Sequence, residues 1–330
     1  MQVLVTGAAG FVGSHLCEEL VRRGHAVVGL DAFIDYYPRH FKQENISAVL
    51  GRPSFTFREA DLRFADLEPI VEGCDVVVHA AAMPGLPRSW TDFDKYESCN
   101  LTGTQRLAEA CRKTGVGKLV HISTSSVYGA CAVGDEGMPT RPVSPYGVTK
   151  LAAEHLLLAY QETFGLPICI LRYFSVYGPR QRPDMAYNIF AEAMLDERSI
   201  TVFGDGHQSR SNTYIADCVA ATVAAAEDGP VGEILNIGGG EVLNVLEAID
   251  IIGGILGVRP RLEFVAARHG DQRQTAADIS KARRLLGYSP AVSPADGLRT
   301  QVEWQRRRRQ GRSTEPTWTR TVTVPSPDPN

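Results

Sequence analysis

The chain begins Gln2-Val3-Leu4-Val5-Thr6 and runs directly into Gly7-Ala8-Ala9-Gly10-Phe11-Val12-Gly13. An apolar strand closed at once by this glycine pattern leaves few structural options. Gly7 permits a tight turn, Gly10 lets backbone approach a pyrophosphate, and Gly13 lets a helix pack on the strand. The segment Phe11–Arg23 has helical apolar spacing and is closed by Gly24. Its N-terminus, with Phe11 and Val12, would present N–H groups and a positive dipole end to phosphates. A second strand, Ala26–Leu30, ends at Asp31. A carboxylate there suits the ribose hydroxyls of NAD and would repel the extra phosphate of NADP. Neither Ala32 nor Phe33 supplies an arginine to offset it, so NAD is the expected cofactor.

Strand and helix continue to alternate. Phe55–Phe57, Asp75–Ala80, Lys118–Ser123 and Pro167–Tyr173 read as strands, and Tyr96–Thr114 and Tyr146–Phe164 as helices. Continuous apolar strands between helices predict an α/β fold: a Rossmann-like, doubly wound parallel sheet covered on both faces. After about Ser175 the texture changes, with longer loops and more Gly and Pro. A smaller C-terminal α/β substrate lobe is expected from Ala186–Asp196, Ile200–Phe203, Val219–Glu227, Leu243–Leu256 and Ile279–Leu286. The expected division is an NAD-binding domain over 1–175, a mainly substrate-binding lobe over 176–310, and a mobile tail over 311–330, rich in Thr, Ser and Pro.

A formal net charge of −4 gives no general attraction to nucleic acid or anionic membrane. The run Arg306–Arg309 reads as the solvated end of a helix. No apolar run approaches the ~20 residues of a membrane helix. The N-terminus reads as a strand that starts the fold, not as a signal peptide. Seven cysteines without a C-x-x-C pair suit a reducing compartment, so a cytoplasmic location is expected. The eight histidines lack H-x-x-x-H spacing, and no metal site is expected.

Asp61-Leu62 follow one strand, and Ala80-Ala81-Ala82 follow another, where small residues suit backbone passing close to a dinucleotide. Tyr146-Gly147-Val148-Thr149-Lys150 places Tyr and Lys at i and i+4 on one helical face. A tyrosine near its free pKa of ~10 is a poor base at neutral pH. A neighbouring ammonium and a positive nicotinamide ring would lower it. Thr124, Ser125 and Ser126, at the end of a strand, offer hydroxyls to the substrate oxygen that Tyr146 deprotonates.

These residues resemble the extended short-chain dehydrogenase/reductases. The likeness rests on Gly7/Gly10/Gly13, Asp31, Thr124, Tyr146/Lys150, Tyr173-Phe174-Ser175-Val176-Tyr177-Gly178-Pro179 and Thr213-Tyr214-Ile215-Ala216-Asp217, and spans about Met1 to Trp304. It implies a tightly held NAD, contacted also by Tyr173, that is reduced and reoxidised within one cycle. It also implies a nucleoside-diphosphate sugar, with uracil as base, and a homodimer packed through Tyr96–Thr114 and Tyr146–Phe164. Arg210 and Arg273, the latter in Gly270-Asp271-Gln272-Arg273, match diphosphate-binding positions, and Asp271 and Ser175 join them as candidate substrate residues.

The 4,6-dehydratases of this family carry Asp-Glu after the catalytic Thr, where this chain has Ser125-Ser126. Gln181–Ala186 and Asp31–Pro38 are similar to the UDP-glucuronate enzymes, in whose 4-epimerases an arginine matching Arg182 holds the sugar carboxylate. A planar guanidinium suits that role. Oxidation at C4 of a glucuronate makes a β-keto acid, which loses CO2 readily. Decarboxylases of this branch carry Glu at Ser126 and Asn at Ser175; the epimerases carry Thr at Ser175 and Asp-Phe at Ser211-Asn212. The chain has neither set. Through Asp35–Arg39, Arg182–Asn188 and Arg210–Tyr214 it resembles the short UDP-glucuronate decarboxylases of actinomycete oligosaccharide-antibiotic pathways. The expected reaction is therefore C4 oxidation and decarboxylation to a UDP-4-keto-pentose or UDP-xylose, with 4-epimerisation to UDP-galacturonate as the alternative.

Overall fold

The computed structural model describes residues 1–267 and 272–311. Seven parallel strands form its main sheet: β1 (Gln2–Thr6), β2 (Ala26–Asp31), β3 (Phe55–Glu59), β4 (Val76–His79), β5 (Lys118–Thr124), β6 (Ile168–Tyr173) and β7 (Glu233–Ile237). Their order is β7-β6-β5-β4-β1-β2-β3. The chain reverses its direction of winding between β1 and β4, which opens a crevice at the C-terminal ends of the strands. Alternate residues face opposite layers. Val3, Val5, Val76 and Val78 pack toward Leu16, Leu20 and Cys218, whereas Leu4, Val77 and Leu119 pack toward Leu107, Cys111 and Leu157. The sheet is thus covered on both sides.

On the first face lie α1 (Phe11–Arg22) and, much later in the chain, a helix over Ile215–Glu227. On the second lie α2 (Gly103–Thr114) and α3 (Pro145–Phe164). Ser144 caps α3, accepting from Gly147 N at 3.2 Å, with Pro145 as its first residue. This cap fixes Tyr146 in the first turn. The helix expected over Tyr96–Thr114 is interrupted by a π-turn at Ser98–Thr102. There Asn100 turns inward to bind both Met83 N and Met83 O, at 2.7 and 3.1 Å, and so holds the loop after β4.

The smaller lobe has its own core, in which Phe190, Met194, Ile249, Ile252, Leu298 and Val302 are buried together. Its helices include Ala186–Leu195, Val245–Leu256 and Pro294–Gly311. Between them the chain returns to the main sheet, because Glu233–Ile237 pairs with β6. Of the arginine run, Arg308 stacks on Phe41 at 3.7 Å and pairs with Glu44, and Arg309 pairs with Glu192 and Asp196. The expected tail lies, beyond Gly311, outside the described residues. No described helix is long and apolar enough to cross a membrane.

Candidate active site

The parallel registers bring Thr6 level with His79, His79 with His121, and Thr124 with Tyr173. The loops leaving these strand ends enclose a cavity of about 420 Å³. Gly7, Gly10, Phe11, Val12, Gly13, Asp31, Asp61, Leu62, Ala80, Ala81 and Ala82 line it. So do Thr124, Ser125, Ser126, Tyr146, Lys150, Tyr173, Ser175 and Arg182.

One part of the cavity suits a dinucleotide. Gly7 adopts φ +69°, and a Cβ there would lie 2.8 Å from Ala81 N. A Cβ on Gly13 would lie 2.0 Å from Gly7 O. Both glycines let the first turn, the start of α1 and the loop after β4 press together. No side chain caps α1 at Gly10, so its first N–H groups remain for a phosphate. The Asp31 carboxylate accepts from Ala9 N at 3.1 Å and from Phe33 N at 2.7 Å. These donors fix its orientation at the cavity wall. Lys42 stands 3.6 Å from it, a cation brought in from a later helix, Arg39–Ile46. Its charge is already matched by Asp31, and its amine donates to Ile34 O. Asp61 lines the cavity but is bound by Arg63, its own near neighbour, at 2.7 Å. Glycine cradle, bare helix end and oriented carboxylate together fit NAD.

The candidate catalytic group sits where β5 meets α3. Thr124 hydrogen-bonds the Tyr146 hydroxyl. Burial raises the Tyr146 pKa, and both the Thr124 bond and the Arg182 charge oppose that rise. Lys150 does not hydrogen-bond Tyr146. Its Nζ donates to Ile122 O at 2.7 Å and meets His121 Nε2 at 3.1 Å. Burial lowers the Lys150 pKa to about 8, against the pull of Glu154. Burial and the Lys150 charge hold His121 well below its usual range, so its neutral ring accepts from the ammonium. Lys150 is thereby anchored to β5, and the charge that acts on Tyr146 in this structure is that of Arg182.

Beside this group, Ser126 N donates to Thr124 Oγ1 at 3.2 Å, and Thr124 reaches Ser126 Oγ at 3.3 Å. Ser125 reaches Gln272, whose amide also donates to Ser125 O and Gly129 O. Tyr173 offers only its ring, because its hydroxyl is bonded to Thr222. Arg182 is held by Asp184 through Nε and Nη2, each at 3.0 Å. Among the described residues, the carboxylates lining the cavity are Asp31 and Asp61.

Arg210 and Arg273 do not line the cavity. Arg210 lies in the strand Ser209–Ser211 of the smaller lobe and Arg273 just ahead of the strand Gln274–Ala277, and Arg210 Nη1 donates to Ser209 O at 2.9 Å and Arg273 O at 3.3 Å. Asp271 falls outside the described residues. Sequence reasoning missed Tyr36, Lys42, Arg63 and Gln272, all on the cavity wall. Gln272 had a signal, since it lies inside the Gly270–Arg273 segment singled out for its neighbours.

Residues 3–238 match the NAD dependent epimerase/dehydratase family. The chain belongs to that family. Within it, an uncharacterized UDP-glucose epimerase of Bacillus subtilis is 46% identical, over 92% of this chain and 98% of the relative. A UDP-glucuronate 4-epimerase of Thermodesulfobacterium geofontis is 38% identical, over 92% and 95%. The crystal structure of a UDP-glucuronic acid 4-epimerase from Bacillus cereus, in complex with UDP-glucuronic acid and NAD, is 46% identical with a TM-score of 0.91. It matches over 93% of this chain and 99% of that one.

Proposed function

We propose that the chain is a UDP-glucuronate 4-epimerase that yields UDP-galacturonate with a resident NAD. The observation that carries this reading is the full-length likeness to the Bacillus cereus enzyme, which was solved with that sugar acid and NAD. It favours epimerisation over the decarboxylation preferred on sequence alone. Proton bookkeeping agrees. Decarboxylation consumes one proton at C5, and no acid stands at Ser125 or Ser126 to supply it. Epimerisation consumes none, because the proton taken from O4 is returned to it.

NAD, held by the Gly7–Gly13 turn and Asp31, would supply the acceptor for the C4 hydride and its source on return. The chain's own residues do the rest. Tyr146 removes the O4 proton, and Thr124 holds the oxygen through the hydroxyl that also bonds Tyr146. Lys150 stabilises the Tyr146 anion through space. Arg182 faces the sugar carboxylate, holding it away from the geometry that expels CO2. Substrate carrying deuterium at C4 tests this cycle. Full retention of the label at C4 of the epimer supports hydride return, and loss of the label to solvent rejects it.

A further inference from the structure

Tyr36 occupies an unusual position for a loop residue. Its ring is flanked by two guanidinium groups: Arg88, 4.7 Å from the centroid, and Arg182, 5.7 Å from it. Arg88 also donates to Tyr36 O at 3.1 Å and is itself paired with Asp92. The Tyr36 hydroxyl donates to Asp184 Oδ2 at 3.2 Å. Gly85, at φ +89°, passes so close beneath that hydroxyl that a Cβ would lie 2.3 Å from it. Tyr36, Gly85 and Arg182 all line the cavity, whereas Asp184 is exposed behind them.

Asp184 takes Arg182 side-on, through Nε and Nη2. A guanidinium held on that edge keeps its Nη1 edge for another acceptor. Among the described residues, Arg182 Nη1 makes no hydrogen bond. The Tyr36 ring lies 5.7 Å from the same group, within cation–π range, and its hydroxyl holds the carboxylate that aims it. We propose that Asp184 and Tyr36 are positioning residues that set the preference for an acidic sugar, by presenting the Nη1 edge of Arg182 to the sugar carboxylate. This deepens the Proposed function and rests on its reading of Arg182. Neither residue need touch the substrate. A neutral hexose gains nothing from the aimed edge, so the pair acts on the difference between two sugars.

The test is calorimetric binding of UDP-glucuronate and UDP-glucose to the NAD-loaded protein. Binding is read without turnover, so the result does not depend on whether the product is an epimer or a decarboxylated sugar. Asp184→Asn is expected to raise the Kd for UDP-glucuronate about tenfold and that for UDP-glucose less than about twofold. Asp184→Glu, which restores the charge, should recover part of the loss. Tyr36→Phe keeps the ring and loses the hydroxyl, and should weaken UDP-glucuronate about threefold. In the Asp184→Asn background it should add nothing. Equal changes for the two sugars, no change for UDP-glucuronate, or a full Tyr36→Phe effect without Asp184 would each overturn the proposal. Arg182→Ala is measured alongside. If it weakens both sugars alike, the reading of Arg182 itself fails; if it is selective while Asp184→Asn is silent, only the positioning role fails.

Discussion

Lys150→Met should move activity and stability in opposite directions at neutral pH. The Lys150 ammonium is 2% exposed and holds two acceptors, Ile122 O and His121 Nε2. Burial brings its pKa from 10.5 to about 8. The unfolded chain thus binds more protons between those values, and native stability rises with pH across that window. Below pH 8 the buried charge costs about 3 kcal/mol, and the cost fades toward pH 10.5. Methionine removes the cost but strands two acceptors, at about 1 kcal/mol each. The variant should therefore be about 1 kcal/mol more stable than wild type at pH 7, and about 2 kcal/mol less stable at pH 10.5. Activity should fall instead. A unit charge at about 6 Å from a phenolate is worth about 3 kcal/mol at an effective dielectric of about 20. That is roughly a hundredfold in kcat. Urea unfolding at three pH values and steady-state rates test both arms. A stability difference that does not change with pH, or a kcat within about threefold of wild type, would refute the reasoning.

Other outcomes follow from the same geometry. Tyr146→Phe should lower kcat by about 10³-fold or more while NAD stays bound, read by turnover and by cofactor content after gel filtration. Glu154→Gln leaves Arg172, paired with it at 2.6 Å and 4% exposed, without its counter-charge. A loss of about 3–5 kcal/mol in urea unfolding is expected. Gly13→Ala drives a Cβ against Gly7 O, so the purified variant should lose NAD and melt well below wild type.

The first half of the fold was legible because its signals are local. The glycine trio, Asp31 at a strand end and the Tyr146/Lys150 spacing are each a short local pattern, and the structure places them at one cavity. The return of Glu233–Ile237 to the main sheet was not legible, because strand pairing across sixty or so residues leaves no periodic trace in sequence. Lys42, Tyr36 and Gln272 were missed for a related reason: tertiary packing, and not spacing, brings them to the wall. The Tyr146–Lys150 spacing was legible as a shared helical face, but not that the ammonium turns to the carbonyl and imidazole of β5, which offer it acceptors. Arg210 and Arg273 were placed at the site by their motifs, and they lie together outside the lining of the cavity. The choice between epimerisation and decarboxylation turns on the orientation of one carboxylate, which residue types alone do not encode.

The most direct measurement is to incubate the purified protein with UDP-glucuronate, without added cofactor, and to follow products by mass and proton NMR. An unchanged mass with a new equatorial C4 proton signal, that of UDP-galacturonate, is the predicted result. Loss of one CO2 as the main outcome would contradict the account and return the chain to the decarboxylases.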